Sequence, residues 1–375
     1  FQESDRLDKI EMDSTHNRRD YSAMWLASCH YQLGDEKQAQ KISPYYYKLS
    51  PIDRRLTIQS DSLSALADKA FEHQDYTKAL KLYKQCDAIE ATILGKNHIW
   101  RMTTIANEGY CYSQLSDSTN AIKCFEAHQA ACQQLYNLEC DAAMNTLFAL
   151  GHEYYNHQFE NHYPKALNAY FQAYELAKNL NDSINYNSSL YCISLCYFSQ
   201  SQENNGDEQG KYLENAEVFV RELRNDNEED RYLKNLIYDN LANFYNKKSE
   251  EYLQDSITLQ QALDYSQKAL ETYQKKPDAD QGVKRLLEIY KMDCLIRSNK
   301  IQEAIELGED LYAAFLPIRQ QESENYQTLL QNLSYSYKVL GNEEKNIFYL
   351  NLLSTSYTQS NQTQNEKILD VFYEL

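Results

Sequence analysis

The sequence predicts an all-α protein made of repeated helical hairpins, and three observations predict it. The first is a ladder of alanines, Ala39, Ala79, Ala121, Ala166, Ala216, Ala262 and Ala304, with Asn346 in the next place; successive steps are 40, 42, 45, 50, 46, 42 and 42 residues. A near-constant period of this size marks stacked supersecondary units. The second is a scarcity of breakers, with nine Gly and five Pro in 375 residues, which leaves room for long helices and little for the turns of sheets. The third is a second small residue upstream of each ladder position: Ala27, Ala67, Gly109, Gly151, Ser194, Ala242 and Ser334, with Met292 as the exception. Two small residues per repeat let two helix backbones cross closely.

Each repeat supplies its own turn. Gly34-Asp35, Gln74-Asp75, Ser116-Asp117 and Gly341-Asn342 fall between the two small positions. Gly or another turn residue ends one helix in the left-handed conformation, and Asp or Asn caps the next. Three positions beyond the first small residue stand Tyr112, Tyr154, Tyr197, Tyr245 and Tyr337, one turn further along the same helical face.

The segment YSAMWLASCHYQLGDEKQAQKISPYYYKLSP carries small, Gly-Asp, Ala and Pro signals at Ala27, Gly34-Asp35, Ala39 and Pro51. It resembles a tetratricopeptide repeat, as do DSLSALADKAFEHQDYTKALKLYKQC, NLANFY from Asn240 and NLSYSYKVLGN from Asn332. The longer period, with ATILGKNHIW between repeats two and three, resembles repeats of kinesin-light-chain type. The resemblance implies a right-handed α-solenoid of about eight repeats. The expected organisation is an N-terminal capping segment at 1–19, the repeats at 20–357 and a C-terminal helix at 358–375. Insertions are expected near 156–164, 199–211 and 246–260, the second as a mobile loop. The start at Phe1 and the apolar residues Ile368, Leu369 and Phe372 near the end suggest a piece of a longer chain.

The composition disfavours some functions. A net charge of −18 repels a phosphate backbone and an anionic bilayer, and no stretch approaches the roughly 20 apolar residues of a membrane span. Nine cysteines lie mostly beside apolar residues, as reduced packing residues do. This usage leans toward a reducing compartment, while the missing initiator Met leaves an exported, signal-processed form open. HEYYNH at 152–157 approaches the zinc-hydrolase pattern, but its histidines are five apart, about 140° round a helix, and cannot share a metal. No phosphate loop or nucleophile elbow is present, so neither catalysis nor a metal or cofactor is expected.

In the tetratricopeptide family the first helices line the binding face. Carried over by register, that face comprises Tyr21 and Tyr31 in repeat one, Asp61, Ser64, Asp68 and Phe71 in repeat two, and Tyr110 in repeat three. It continues through Phe148, His152 and Tyr155 to Tyr191, Phe198 and Asn243. Aromatic side chains give large contact area at low entropic cost, so the strip suits a protein or peptide segment, although the rings can also pack on neighbouring helices. The groove asparagines Asn107, Asn240 and Asn332 lack the paired basic residues of a carboxylate clamp. The expected function is a noncatalytic binding scaffold. The alternative is a sensor or regulatory part of a longer protein with an enzymatic (protease or kinase) or DNA-binding effector elsewhere.

Overall fold

The structure, a computed structural model, describes residues 23, 26–43, 49–94, 99–136, 141–156, 162–224, 227–255, 257–321 and 323–359. The 1–19 segment, Tyr21 and residues 360–375 of the expected terminal helix lie outside the described residues. The chain divides into two compact units, Phe1–Cys196 and Tyr197–Leu375.

All regular structure among the described residues is helical. In the first unit, helical residues 26–32 pair with α1 (Glu36–Ile42), α2 (Pro51–Glu72) with α3 (Tyr76–Ile93), α4 (Ile99–Gln114) with α5 (Ser118–Tyr136), and α6 (Asp141–Asn156) with α7 (His162–Asn179). The unit boundary falls inside α8 (Ser183–Gln202), which precedes α9 (Gly206–Val220). In the second unit α10 (Glu228–Tyr252) pairs with α11 (Leu259–Gln274), α12 (Gln281–Arg297) with α13 (Ile301–Phe315), and α14 (Ser323–Leu340) with α15 (Glu343–Gln359). Second helices also pack on the next first helix: α3 on α4, α5 on α6, α9 on α10, α11 on α12 and α13 on α14. This is the stacking a repeat array needs, since one hairpin cannot bury its apolar faces alone. No described helix is long and apolar enough to cross a membrane.

The turns form as their residues dictate. Gly34, Gln74, Ser116 and Gly341 have φ of 80°, 61°, 61° and 80°, the left-handed state that ends a helix. The next residue then caps: Asp35 accepts from the Gln38 amide, Asp75 from Lys78, Asp117 from Asn120 and Asn342 from Lys345, at 3.1–3.2 Å. The left-handed turn recurs at Asn299, φ 58°, followed by Lys300 with no side-chain cap, and turn and cap together recur between hairpins at Asn181-Asp182, where Asp182 accepts from the Asn185 amide. At the start of α2, Ser50 accepts from the Asp53 amide and Pro51 takes the first helical position, where its missing N–H is no loss.

All seven ladder alanines have no exposed surface. Across each crossing, bulk on one helix meets a gap on the other. A Cβ at Gly109 would lie 2.8 Å from the Phe125 ring, and one at Gly151 only 2.3 Å from Tyr170. Repeat seven inverts the arrangement: Met292, fully buried where the other repeats are small, sits against Gly308 of α13, whose Cβ would lie 2.7 Å from the Met292 methyl. Bulk has moved from the second helix to the first while the crossing keeps its fit.

The 199–211 stretch, expected as a loop, is helical at both ends, with α8 running to Gln202 and α9 starting at Gly206. The extra residues lengthen the helices, consistent with a composition poor in breakers. The expected packing cysteines Cys111, Cys192, Cys196 and Cys294 are buried thiols and Cys29 is half-buried. Burial pushes Cys111, Cys192 and Cys196 up to about 12, which keeps them protonated and unreactive.

Candidate binding surface

The described residues of the aromatic strip sit on first helices, and most are half-buried because each ring leans on a second-helix side chain or a hairpin core. Tyr31 packs on the Ala27 and Ala39 pair, with the Arg54 guanidinium 5.1 Å from its ring centre. Phe71 meets Tyr76 edge-on at 5.2 Å, and Tyr110 meets Phe125 edge-on at 5.0 Å. Burial pushes the Tyr110 phenol up to about 12.

Helix α6 brings three members together. Phe148 and His152, one turn apart, both lie against Tyr170 of α7 at 6.4 and 5.8 Å, and His152 Nδ1 is 3.2 Å from the Tyr170 hydroxyl. Tyr155 meets Tyr163 edge-on at 6.2 Å. Tyr163 and Tyr170 are buried, so they hold these three rings on fixed supports. Tyr191, on α8, is half-buried in the same unit. In the second unit, Phe198 packs on the cluster of Leu213, Tyr245 and Tyr273, and Asn243 is exposed on α10.

The first unit's strip carries Asp61 and Asp68 among its rings. Asp68 accepts a 2.5 Å hydrogen bond from the Tyr83 hydroxyl. Of the groove asparagines, Asn240 turns back onto its own helix and donates to the Leu236 carbonyl. His157 of the HEYYNH segment lies outside the described residues, and no group of three metal-ligating side chains occurs among the described ones.

The tyrosines three positions past the small residue have a different task. Tyr154 donates to Glu126 of α5 at 2.7 Å, Tyr245 to Glu214 of α9 at 2.7 Å and Tyr337 to Glu309 of α13 at 2.6 Å. The Lys84 ammonium of α3 lies 5.1 Å from the Tyr112 ring centre. In these four cases a first helix is tied to the second helix of the preceding repeat, whereas Tyr197 stacks at 6.0 Å on Phe219 of α9, within its own repeat. The partner lies five residues past the ladder alanine in Lys84, Glu126 and Glu309, a regularity that is legible only once the hairpins are stacked. Tyr245→Phe is expected to cost about 1 kcal/mol, one hydrogen bond to a charged acceptor at the surface. A urea midpoint equal to that of the parent would remove the clasp from the list of stabilising contacts.

No protein-family model matches the chain, and no curated protein matches it. Among solved structures it is similar to BtubC from P. vanneervenii, at 18% identity and a TM-score of 0.39, over 78% of this chain and 93% of that one. It is similar to the C-terminal part of a TPR repeat-containing protein from Cytophaga hutchinsonii, at 12% identity and a TM-score of 0.33, over 82% and 98% of the two chains. It is similar also to the apo form of the quorum sensor NprR from B. thuringiensis, at 11% identity and a TM-score of 0.36, over 94% and 95%. Likenesses at this level carry no function across. The paired small residues, left-handed turns with Asx caps and stacked hairpins of this chain are those of a tetratricopeptide-like repeat fold.

Proposed function

We propose that the chain is a noncatalytic scaffold that binds a protein or peptide segment on the ring-bearing faces of its first helices. The observation that carries this reading is the group on α6, where Phe148, His152 and Tyr155 keep part of their surface open while Tyr163 and Tyr170 brace them from below. Braced rings lose little rotamer freedom when a partner covers them, which is the property of interface anchors. The charge of −18 favours a polypeptide over a nucleic acid.

The test is capture of partners from the source organism on immobilised protein. Phe148→Ser with Tyr155→Ser is expected to weaken the captured interaction by at least tenfold, the loss of two anchors, while circular dichroism shows unchanged helicity. Undiminished binding by this helical variant would move the site off α6.

A further inference from the structure

Three carboxyl groups, one each on α2, α3 and α4 of the first unit, are linked through Glu90, and the two cations near them are engaged with other groups. Glu90 of α3 is 2% exposed; it accepts from Ser60 of α2 at 2.9 Å and from Thr104 of α4, and its Oε2 has no hydrogen-bond partner. Asp61 of α2, half-buried, has the Ser28 hydroxyl at 3.4 Å and feels the Glu90 carboxyl. Glu108 of α4 is 9% exposed.

The neighbours on every packed element are mainly neutral or acidic. From α2 come Ser60 and Asp68; from α3 Cys86, Asp87 and Lys84; from α4 Arg101, Thr104 and Cys111; from α5 Cys124; and from the first hairpin Ser28 and Cys29. Two of these are cations. Arg101 is paired with Asp87 at 2.6 Å, and Lys84 lies over the Tyr112 ring. Burying an ionised carboxylate without a partner is expensive, so such a group keeps its proton. Burial accordingly lifts Asp61, Glu90 and Glu108 each to about 7.

We propose that the α2–α3–α4 interface is a proton-dependent latch, closed while Asp61, Glu90 and Glu108 carry protons and loosened when they ionise. The direction follows from linkage. A carboxyl whose folded value lies above its unfolded one binds its proton more tightly when folded, so its contribution is complete below about pH 4 and is lost as pH rises to about 7. Each additional proton held by the closed state changes the closed-to-open ratio tenfold per pH unit in that window. The latch shares Asp61 with the proposed binding face, but it rests on the packing of α2, α3 and α4 and not on a bound partner.

The experiment is hydrogen exchange of the α2, α3 and α4 amides at about pH 5 and about pH 8, corrected for intrinsic exchange, on the parent and on Asp61→Asn/Glu90→Gln/Glu108→Gln. The neutral amides imitate the protonated carboxyls. The parent is expected to open at least tenfold more often at the higher pH, and the triple variant equally at both. A parent that opens equally at both values, or a variant that retains the parent's pH dependence, overturns the latch. If the triple variant does not fold, infrared difference spectra of the parent between the two pH values decide. A protonated-carboxyl band that disappears at the higher pH, and is reduced in Glu90→Gln, supports the latch; its absence at the lower pH overturns it.

Discussion

Gly151→Leu is expected to destabilise the first unit by about 3 kcal/mol, at the upper end of the overpacking range. The reason is local. Gly151 is buried where α6 crosses α7, and even a Cβ would lie 2.3, 2.6 and 2.7 Å from three atoms of the Tyr170 ring. Tyr170 is 2% exposed and already bears the weight of Phe148 and His152, so it cannot swing away without disturbing both. Gly210→Ala is the matched control: its Cβ would come as close, 2.2 Å, to Phe244. That ring is half-buried and meets the Cβ with its outer atoms, Cζ and the two Cε, and an alanine removes the helix penalty of glycine, about 0.5–1 kcal/mol. The control should therefore stay within about 1 kcal/mol of the parent. Urea denaturation of both variants checks the contrast. Equal midpoints for Gly151→Leu and the parent would mean that the α6–α7 register is wrong.

The contrast also shows which parts of the fold are legible in sequence. The ladder alanines, the small residues opposite them and the Gly-Asp turns obey local rules, because a close crossing and a left-handed turn each demand particular residues at one position. Those positions fell where the spacing placed them. What escaped depends on two positions at once. Met292 reads as a failed repeat until Gly308, on the opposite helix, is seen to make room for it. The tyrosine clasps escaped for the same reason, since Glu126 and Glu309 belong to the repeat before the tyrosines they receive.

The candidate surface is legible to a smaller degree. Register placed Tyr31, Phe71 and Tyr110 on first helices, but only the structure shows each braced by a neighbour, Arg54, Tyr76 or Phe125. The buried acids are the least legible feature. Glu90 and Glu108 look like ordinary polar helix positions, and nothing in their own sequence neighbourhood shows that the facing helices bring further carboxyls rather than cations. Exposure at the last hairpin is a related case. Ile347 follows the ladder place by one residue, where Leu263 and Ile305 are 7% and 6% exposed; it is 46% exposed, because no described helix follows α15 to cover it.

Phe315→Ala is expected to cost the second unit about 3–5 kcal/mol, the range for truncating a fully buried aromatic ring. Phe315 closes α13 with no exposed surface, and its ring lies 6.0 Å from that of Tyr326 on α14, with the Arg285 guanidinium of α12 5.5 Å from its centre. The substitution thus removes one side of a cluster that spans three helices and leaves a cavity which Tyr326, itself 4% exposed and near Tyr312, cannot collapse to fill. Arg285 loses the face over which its charge rests, a further loss of about 0.5–1 kcal/mol. Phe348→Ala separates burial from ring chemistry, since Phe348 is also an aromatic with an aromatic neighbour, Tyr349 at 5.1 Å, but is 46% exposed. Its loss should cost about 1 kcal/mol or less. Scanning calorimetry should then show the second unit's transition lowered by roughly 6–20 °C in Phe315→Ala, at 2–4 °C per kcal/mol for a unit of this size, and by a few degrees at most in Phe348→Ala. Similar shifts for the two variants would mean that Phe315 is not the keystone of the α12–α14 packing, and the assignment of the core to the cluster around α13 would fall with it.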